Sequence, residues 1–283
     1  MSRKSSIEQV YEPILRDLAT VQRNIRKEIR TPNRVVNKIV AYIFSTKGKL
    51  LRPALAFLAG RAVGTRDDEQ THDTLVQLAT AIELVHNASL VHDDILDGSA
   101  FRRHLPTLNR IYTNHIALLA GDALFSKAFY LMAHNLPKEV IEPITLVTEG
   151  MCHGELINSA QSEGRIDFDT YLTVVKLKTA SLMSVSSQGG AMVTGADPDT
   201  IRAMGEYGMN VGIAYQLVDD YVDDEVDEVE GFSLDFAVAS ADRARAALAS
   251  IPGSVYKDKM LSFVDLVLEM AAQKDMSATV KLP

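Results

Sequence analysis

Two short stretches of the sequence end an apolar run with a set of three aspartates. LVHDDILD carries the first set and LVDDYVDD the second; the six residues are Asp93, Asp94, Asp97, Asp219, Asp220 and Asp223. On a helix, the first and last members of a set lie four residues apart on one face, where like charges repel. Carboxylate oxygens without histidine or cysteine suit hard cations such as Mg²⁺, which also takes water and phosphate oxygens. The pattern therefore predicts Mg²⁺ sites for a phosphorylated ligand.

A solvated helix end is the alternative for either set alone, because acidic clusters are common on protein surfaces. Here the same spacing occurs twice, each time at the end of an otherwise apolar run. This repetition favours the metal and indicates one function shared by two helices rather than a repeat architecture.

Basic side chains occur where they could bind phosphate oxygens that a metal leaves uncovered. They are Lys49, Arg52, Arg102, Arg103 and Lys178. His86 lies two turns before Asp93 on the same helix face. Taken singly, a lysine in an apolar helix can snorkel, and a lone histidine there is ordinarily a core residue. Together with the aspartates they point to a diphosphate site, in which metal and cations make the diphosphate a good leaving group and apolar helices hold a hydrocarbon.

The elements that carry these residues are predicted to be helices nearly throughout, since apolar residues recur at i, i+3 and i+4. The clearest stretches cover 35–44, 75–97, 116–136, 174–193 and 201–224. No alternating run bounded by turn residues occurs, so no sheet is predicted. Breaks at proline and glycine give about nine or ten helices. Without a Gly/Ser-rich linker, we interpret residues 1–283 as one all-α domain.

Composition argues against several classes of protein. The 283-residue chain has a formal net charge of −8, which disfavours nucleic acid as a partner. Its single cysteine, Cys152, leaves no internal disulfide and disfavours a zinc cluster. The first residues contain no apolar signal core, and no stretch approaches the roughly 18 uncharged residues of a membrane span. These features predict a cytoplasmic protein without a transmembrane segment.

Seven motifs, in this order, resemble those of the all-trans isoprenyl (polyprenyl) diphosphate synthases. They are GKLLRP (48–53), ELVHNASLVHDDILD (83–97), RRHLPTLN (102–109), LLAGDALFSKAF (118–129), GELIN (154–158), KTASL (178–182) and YQLVDDYVD (215–223). The resemblance implies an isoprenoid-synthase-type helical bundle around a deep central cavity, normally a homodimer. It also implies ionisation of an allylic primer, attack by the double bond of isopentenyl diphosphate, and loss of a proton to the released diphosphate.

The resemblance implies a role for each matching residue. All six aspartates would surround up to three Mg²⁺ ions on the allylic diphosphate. Isopentenyl diphosphate would be bound by Lys49, Arg52, His86 and Arg103, and the allylic diphosphate by Arg102 and Lys178. Thr179 and Gln216 would present oxygens near the developing allylic cation.

The small residues one turn before Asp93 bear on product length. Ala88 and Ser89 stand where, in the family, a bulky aromatic residue stops the chain early. Small residues favour a medium- or long-chain polyprenyl diphosphate, with geranylgeranyl diphosphate next. The alternative is that a later side chain, such as Phe125 or Tyr130, forms the floor of the cavity.

The region after Asp223 departs from the family, whose members usually carry a lysine-bearing loop there. No lysine lies between Lys178 and Lys257. We therefore expect the loop and the following helix to be lost or shortened, and the acidic stretch 223–230 to be a solvated tract. A missing lid would let water reach a carbocation. The alternative function is a non-catalytic accessory subunit that binds prenyl diphosphates and pairs with a second synthase subunit; a class I terpene cyclase fits worst, because both sets are Asp-Asp-x-x-Asp.

Overall fold

The structure is a computed structural model that describes residues 6–45, 48–161 and 165–280, with side chains for 7–45, 48–161 and 165–274. The predicted domain of residues 1–283 therefore begins and ends outside the described residues. The all-α prediction is confirmed. The α-helices are α1 Ser6–Tyr11, α2 Leu15–Glu28, α3 Arg34–Ile43, α4 Leu51–Val63, α5 Glu69–Leu96, α6 Leu108–Ile111, α7 Asn114–Asn135, α8 Lys138–Ser159, α9 Phe168–Val175, α10 Ser181–Val193, α11 Pro198–Val222, α12 Asp235–Ala247 and α13 Val255–Val280.

Two pairs of two-residue strands correct the prediction of no sheet. β1 (Phe101–Arg102) and β2 (Leu105–Pro106) form an antiparallel hairpin after α5. β3 (Ile166–Asp167) and β4 (Val229–Glu230) pair in parallel. Runs of two residues are too short to produce a detectable alternation. The second pair joins the end of the acidic stretch 223–230 to the start of α9. The stretch that was expected to be a solvated tract is therefore anchored at this end.

The two aspartate-bearing helices start at well-defined caps far from their acidic ends. Asp68 Oδ1 accepts a hydrogen bond of 2.8 Å from the Thr71 N–H at the start of α5. At the start of α11, Asp197 Oδ1 accepts from the Thr200 N–H at 3.0 Å, and Pro198 occupies the first turn. Both arrangements are sequence-encoded start signals. They set the helix direction that brings the acidic last turns to one end of the bundle.

The centre of the bundle consists of α4, α5, α10 and α11, which contribute many of the buried apolar side chains of the main core. Helices α4 and α10 approach closely because Gly190 has no side chain. A Cβ built on Gly190 would lie 2.1 Å from the carbonyl oxygen of Ala56, which is fixed helix backbone. This close contact fixes α4, which carries Arg52, against α10, which directly follows the segment that carries Lys178.

We expect Gly190→Ala to lower the free energy of unfolding by about 3 kcal/mol, since the added methyl group must push two helix backbones apart. Denaturant unfolding measures the effect. Gly205→Ala is the matched control, because a Cβ there meets nothing nearer than 3.6 Å. In a helix interior this change gains about 0.5–1 kcal/mol. Equal stability of the two variants would contradict the close α4–α10 contact.

Two helices are long and apolar enough to span a membrane. Both contain charged residues, so the expectation based on uncharged stretches did not identify them. They are Glu69–Leu96 and Asn114–Asn135. In the most apolar window of α5, 72% of the residues are buried inside the protein, as in a core helix, whereas in α7 only 39% are buried. Burial in the core therefore does not account for the apolar composition of α7. The expected cytoplasmic location stays a prediction.

Candidate active site

A cleft of about 1000 Å³ opens where α5 and α11 end. All but one of the residues proposed from the sequence line it. These are Lys49, Arg52, His86, Asp93, Asp97, Arg102, Arg103, Lys178, Thr179, Gln216, Asp219, Asp220 and Asp223. They come from the start of α4, from α5, from the β1–β2 hairpin, from the segment between α9 and α10, and from α11. The exception is Asp94.

Both acidic sets occupy the last turn of their helices. Asp97 is the C-cap of α5, and its N–H donates to the Asp93 carbonyl oxygen at 2.9 Å. Asp223 is the C-cap of α11, and its N–H donates to the Asp219 carbonyl oxygen at 2.9 Å. A helix C-terminus carries a partial negative charge, so carboxylates are unfavourable there. The cleft therefore concentrates negative charge that a cation would neutralise.

Burial adds to this cost. It raises the pKa of Asp93 to about 6, although nearby Lys178 acts in the opposite direction. Burial also raises the pKa of Asp220 to about 6 and that of Asp219 in the same direction. A raised carboxyl pKa means that the ionised form lacks solvation and counter-charge. These three groups would gain most from a bound cation.

Asp94 is directed elsewhere. Only 6% of this residue is exposed, and its Oδ1 accepts a hydrogen bond of 2.7 Å from Arg102 Nε. It lies in a separate small pocket behind the β1–β2 hairpin, among Tyr42, Leu105 and Pro106. Arg102 still lines the cleft. Asp94 therefore anchors Arg102 in this structure, and its predicted role as a metal ligand stays a prediction.

Arg52 is a buried cation with spare hydrogen-bonding capacity. The residue is 8% exposed, its Nη1 lies 3.1 Å from His86 Nε2, and its Nε is buried without a hydrogen-bond partner. Burial and then the charge of Arg52 lower the pKa of His86, so the neutral ring accepts from the guanidinium. Burial raises the pKa of neighbouring Glu83 to about 7 despite the opposing effect of Arg52. Because Arg52 lines the cleft, its guanidinium suits an anionic ligand there.

Lys49 and Arg103 complete this basic side of the cleft. Lys49 Nζ lies 3.3 Å from the Tyr215 hydroxyl, and the Lys49 carbonyl accepts a 2.7 Å hydrogen bond from the Tyr11 hydroxyl. A Cβ on Gly48 would lie 3.0 Å from Arg103 Nη1. The glycine of the GK pair therefore leaves room for a guanidinium from the hairpin, which explains why a glycine precedes the lysine.

Lys178 lies in a local irregularity that the sequence analysis did not detect. The stretch 174–193 was predicted as continuous α-helix, but Lys176–Ala180 form a π-helical turn. Such turns are rare and occur mostly at functional sites. Lys178 Nζ contacts the Glu155 carboxylate and lies 3.8 Å from Asp93 Oδ1. Although burial alone would lower the pKa of Lys178, Asp93 and Glu155 raise it, so the lysine is cationic.

Thr179 and Gln216 form one hydrogen-bonded chain. The Thr179 hydroxyl donates to Gln216 Oε1 at 2.9 Å, and Gln216 Nε2 donates to Asp220 Oδ1 at 2.6 Å. The other oxygen of Asp220 accepts a 2.5 Å hydrogen bond from the Tyr171 hydroxyl. Both carboxylate oxygens of Asp220 thus have neutral donors, whereas the structure shows no such pair for Asp219 or Asp223 among the described residues.

The C-terminal helix supplies a lysine next to the second acidic set. Lys274 Nζ donates to the Tyr221 carbonyl oxygen and lies 2.5 Å from Asp224 Oδ1. The same ammonium lies 4.7 Å from the centre of the Tyr221 ring. A cation at this position stabilises the C-terminus of α11. Although no lysine lies between residues 178 and 257, Lys274 therefore supplies a cation at this helix end.

Sequence reasoning missed Glu83 and Tyr171, which line the cleft, and Lys274, which lies at the end of α11. Glu83 lies on a predicted helix and opens the recognised motif 83–97, but its residue type alone assigns it no role; Tyr171 lies on α9, before the predicted stretch 174–193. Lys274 is 50 residues from Asp224 in sequence. Glu155 belongs to the GELIN motif, which was recognised, yet its pairing with Lys178 depends on how α8 packs beside the π-helical turn.

The donor set fits a hard divalent cation that arrives with a phosphorylated ligand. The cleft carboxylates offer only oxygen, which suits Mg²⁺. Among the described residues, no three Asp, Glu, His or Cys side chains are close enough to hold an ion by themselves. Mg²⁺ typically uses one or two carboxylates and completes its shell with phosphate oxygens and water. The cleft therefore suits a metal bound jointly by the protein and a phosphorylated ligand better than a metal bound by protein ligands alone.

A second groove, of about 980 Å³, lies between α2 and the start of α5. It is lined by side chains of both charges, including Arg23, Lys27, Asp68 and Asp73, and by none of the motif residues. It contains neither aspartate set and none of the predicted basic residues. We therefore take the first cleft as the candidate active site.

Comparison with known proteins gives one family throughout. The sequence profile of the family described as polyprenyl synthetase matches residues 33–230. A decaprenyl-diphosphate synthase of Dictyostelium discoideum is 32% identical over 230 residues, which are 76% of this chain and 49% of that protein. An octaprenyl diphosphate synthase of Escherichia coli is 30% identical over 223 residues, covering 78% of this chain and 68% of that one. The chain thus spans about half the length of some of the relatives it matches.

The fold has solved counterparts. The structure of a polyprenyl synthase from Caulobacter crescentus, complexed with calcium and isoprenyl diphosphate, matches with a TM-score of 0.85 at 25% identity. The match covers 95% of this chain and 99% of that chain. That relative is thus seen with calcium and isoprenyl diphosphate bound together.

Proposed function

Since the chain belongs to the polyprenyl synthetase family, we propose that it is a trans-prenyltransferase that adds isopentenyl diphosphate to an allylic diphosphate and yields a polyprenyl diphosphate. One observation carries the proposal: two acidic helix ends and the buried Arg52, with its spare donor, line the same cleft. The acidic side suits a diphosphate with bound metal, and the basic side suits a diphosphate without one. A condensation between two diphosphates needs both sites next to each other.

The proposed reaction follows from this arrangement. The allylic C–O bond breaks, and its electron pair leaves with the diphosphate. The isopentenyl double bond then attacks the allylic carbon, and the resulting cation loses a proton to the released diphosphate. Up to three bound Mg²⁺ ions would neutralise the leaving diphosphate. Lys178 and Arg102 would bind its remaining oxygens, while Lys49, Arg52 and Arg103, with neutral His86, would hold isopentenyl diphosphate in line.

Release of inorganic diphosphate tests this proposal. Purified protein with Mg²⁺, isopentenyl diphosphate and farnesyl diphosphate is expected to release one diphosphate per condensation. Omitting either substrate or chelating the metal should stop the release. Release that does not need isopentenyl diphosphate would indicate simple hydrolysis or cyclisation and would contradict the proposal.

Medium or long products are favoured by the residues beneath Asp93. Ala88 is completely buried in the core, whereas Ser89 is partly exposed. Tyr130, considered as an alternative floor, is 53% exposed on α7, so within one chain it does not close a cavity. The names of the relatives, which include decaprenyl, octaprenyl and solanesyl diphosphate synthases, support the same range.

We expect Ser89→Phe to shorten the product, because the ring would occupy the space one helical turn below Asp93. Chromatography of dephosphorylated products should show the main product shifted by at least one isoprene unit relative to the parent protein. Ser89→Ala is the control and should leave the distribution unchanged. An unchanged distribution in the phenylalanine variant would mean that the growing chain does not pass Ser89.

The alternative of a non-catalytic accessory subunit receives no support from the comparisons. An accessory subunit would be expected to have lost some of the charged residues of the site. Here five of the six aspartates and all five predicted lysines and arginines line the cleft.

We further propose that the protein is a homodimer formed through α7 and α8. Four apolar or aromatic side chains on α7 are exposed by 39–53%: Leu118, Leu119, Phe129 and Tyr130. On α8, Leu146 and Leu156 are 61% and 67% exposed. Exposed apolar surface of this kind marks an interaction site, and a second copy would cover the face of α7 that resembles a membrane span.

Leu119→Glu is expected to convert the dimer to a monomer, because two carboxylates would face an apolar interface. Sedimentation equilibrium measures the mass of each species. Leu15→Glu, at a site 46% exposed on α2, is the control and should remain dimeric. A parent protein that is monomeric at micromolar concentration would rule out this interface.

A further inference from the structure

The hydrogen-bonded chain from Tyr171 to Thr179 has a single direction. Asp220, when ionised, can only accept. It accepts from the Tyr171 hydroxyl at 2.5 Å and from Gln216 Nε2 at 2.6 Å. The opposite orientation of the Gln216 amide would place its carbonyl oxygen against a carboxylate, where the two acceptors repel. The amide oxygen of Gln216 is therefore left to accept the Thr179 hydroxyl proton.

This direction determines what the wall of the cleft offers to a ligand. The Thr179 proton is directed to Gln216, so the hydroxyl oxygen can offer only its lone pairs elsewhere. Thr179 and Gln216 both line the cleft. A wall of acceptors stabilises a developing positive charge, whereas a free O–H directed at the same place would oppose it.

Tyr171 is itself held by a cluster of aromatic rings. Its ring centre lies 6.0 Å from that of Phe168 and 6.2 Å from that of Phe232, with an edge-to-face angle of 67° to the latter. Phe232 also stacks on Tyr221 at 6.4 Å and 8°. Phe232 belongs to the segment between α11 and α12 that β4 fixes to β3. The region after the second acidic set thus packs against the tyrosine that donates a hydrogen bond to Asp220.

We propose that Tyr171 is a positioning residue, which acts through Asp220 and Gln216 to keep the Thr179 oxygen turned as an acceptor towards the allylic cation. Asp220 is then the anchor of this chain in addition to, or in place of, any part in metal binding. The inference rests on the proposed function and extends it to Tyr171, which lies outside the recognised motifs.

Calorimetric binding of two analogues tests the inference without turnover. The first analogue is a prenyl diphosphate in which a protonated amine replaces the carbon atom that becomes cationic in the reaction. The second is a prenyl thiolodiphosphate, whose chain carries no positive charge. In excess Mg²⁺, Tyr171→Phe should weaken binding of the amine analogue about 10-fold, the usual effect of losing a hydrogen bond to a charged group. It should leave the affinity for the thiolodiphosphate unchanged.

Tyr207→Phe is the matched control, because the buried Tyr207 hydroxyl donates a 2.9 Å hydrogen bond to the Met260 carbonyl oxygen away from the cleft. Both substitutions remove one hydrogen bond donated by a tyrosine hydroxyl, but Tyr207→Phe should change the affinity for neither analogue. Equal weakening of both analogues in Tyr171→Phe, or no change in either, would overturn the inference alone. Failure of the parent protein to bind either analogue would overturn the proposed function and this inference with it.

Discussion

Asp93→Ala is expected to reduce turnover by about 10³-fold or more while leaving the protein folded. Asp93 lines the cleft in the last turn of α5, beside Asp97 and 3.8 Å from Lys178. In the proposed reaction Asp93 would hold the metal on the leaving diphosphate, so its loss is expected to remove several kcal/mol of transition-state stabilisation, and each 1.4 kcal/mol is about tenfold in rate. Steady-state assays at saturating Mg²⁺ measure the loss.

The same variant is expected to be more stable than the parent protein without metal. Burial raises the pKa of Asp93 from its ordinary 3.8 to about 6, so the folded state binds the proton more tightly than the unfolded chain does. The stability that this proton provides is fully present below pH 3.8 and is lost as the pH rises through 6. At pH 7 the ionised carboxylate therefore destabilises the metal-free protein, and its removal should raise Tm by a few degrees, at about 2–4 °C per kcal/mol.

Asp73→Ala is the control for both effects, because Asp73 lies in the same helix with a side chain that is 75% exposed. It should leave turnover and Tm nearly unchanged. If Asp93→Ala kept turnover within a few-fold of the parent protein, the acidic cleft would not be the metal site. If it lowered Tm in the absence of metal, the electrostatic cost assigned to the cleft would be wrong.

Arg52→Lys is expected to raise the KM for isopentenyl diphosphate by about 30-fold and to change the KM for the allylic primer little. Lysine keeps the charge but loses the planar fork of donors, including the Nε that has no partner within the protein. A hydrogen bond to a charged group contributes about 1.5–3 kcal/mol, which corresponds to about 10–150-fold in affinity. Initial-rate kinetics with each substrate varied in turn measure the two constants separately.

Arg52→Met separates binding from stability. It leaves Glu83, which is 6% exposed, without its buried cation, so we expect a lower Tm as well as weaker binding. Arg52→Lys should keep most of the Tm. A large increase in the KM of the primer in Arg52→Lys, with that of isopentenyl diphosphate unchanged, would reverse the assignment of the two diphosphate sites.

Much of the fold and of the site could be predicted from local sequence signals. The caps at Asp68 and Asp197 and the periodic apolar faces define α5 and α11, and the spacing within each acidic set then determines which carboxylates share a face. Proline and glycine breaks agree with the ends of most long helices. The predicted charged residues converge because the helices pack side by side and because the β1–β2 hairpin and the segment before α4 lie at the same end of the bundle.

The rest depends on packing between distant segments, which no local signal reports. Asp94 has the same type and spacing as its neighbours, but the hairpin after α5 brings Arg102 against it. The π-helical turn at Lys178 interrupts a pattern that reads as uniform helix. The two short strand pairs contain too few residues for a period, and Lys274 reaches Asp224 only because α13 packs against α11.

Product analysis with labelled isopentenyl diphosphate tests the central claim most directly. The protein is incubated with Mg²⁺ and, in separate reactions, with dimethylallyl, geranyl, farnesyl or geranylgeranyl diphosphate, and the dephosphorylated products are sized. We predict a ladder of polyprenyl products that ends at one medium or long chain length. Folded protein that elongates none of the four primers would contradict the claim that this cleft is a polyprenyl-elongating site.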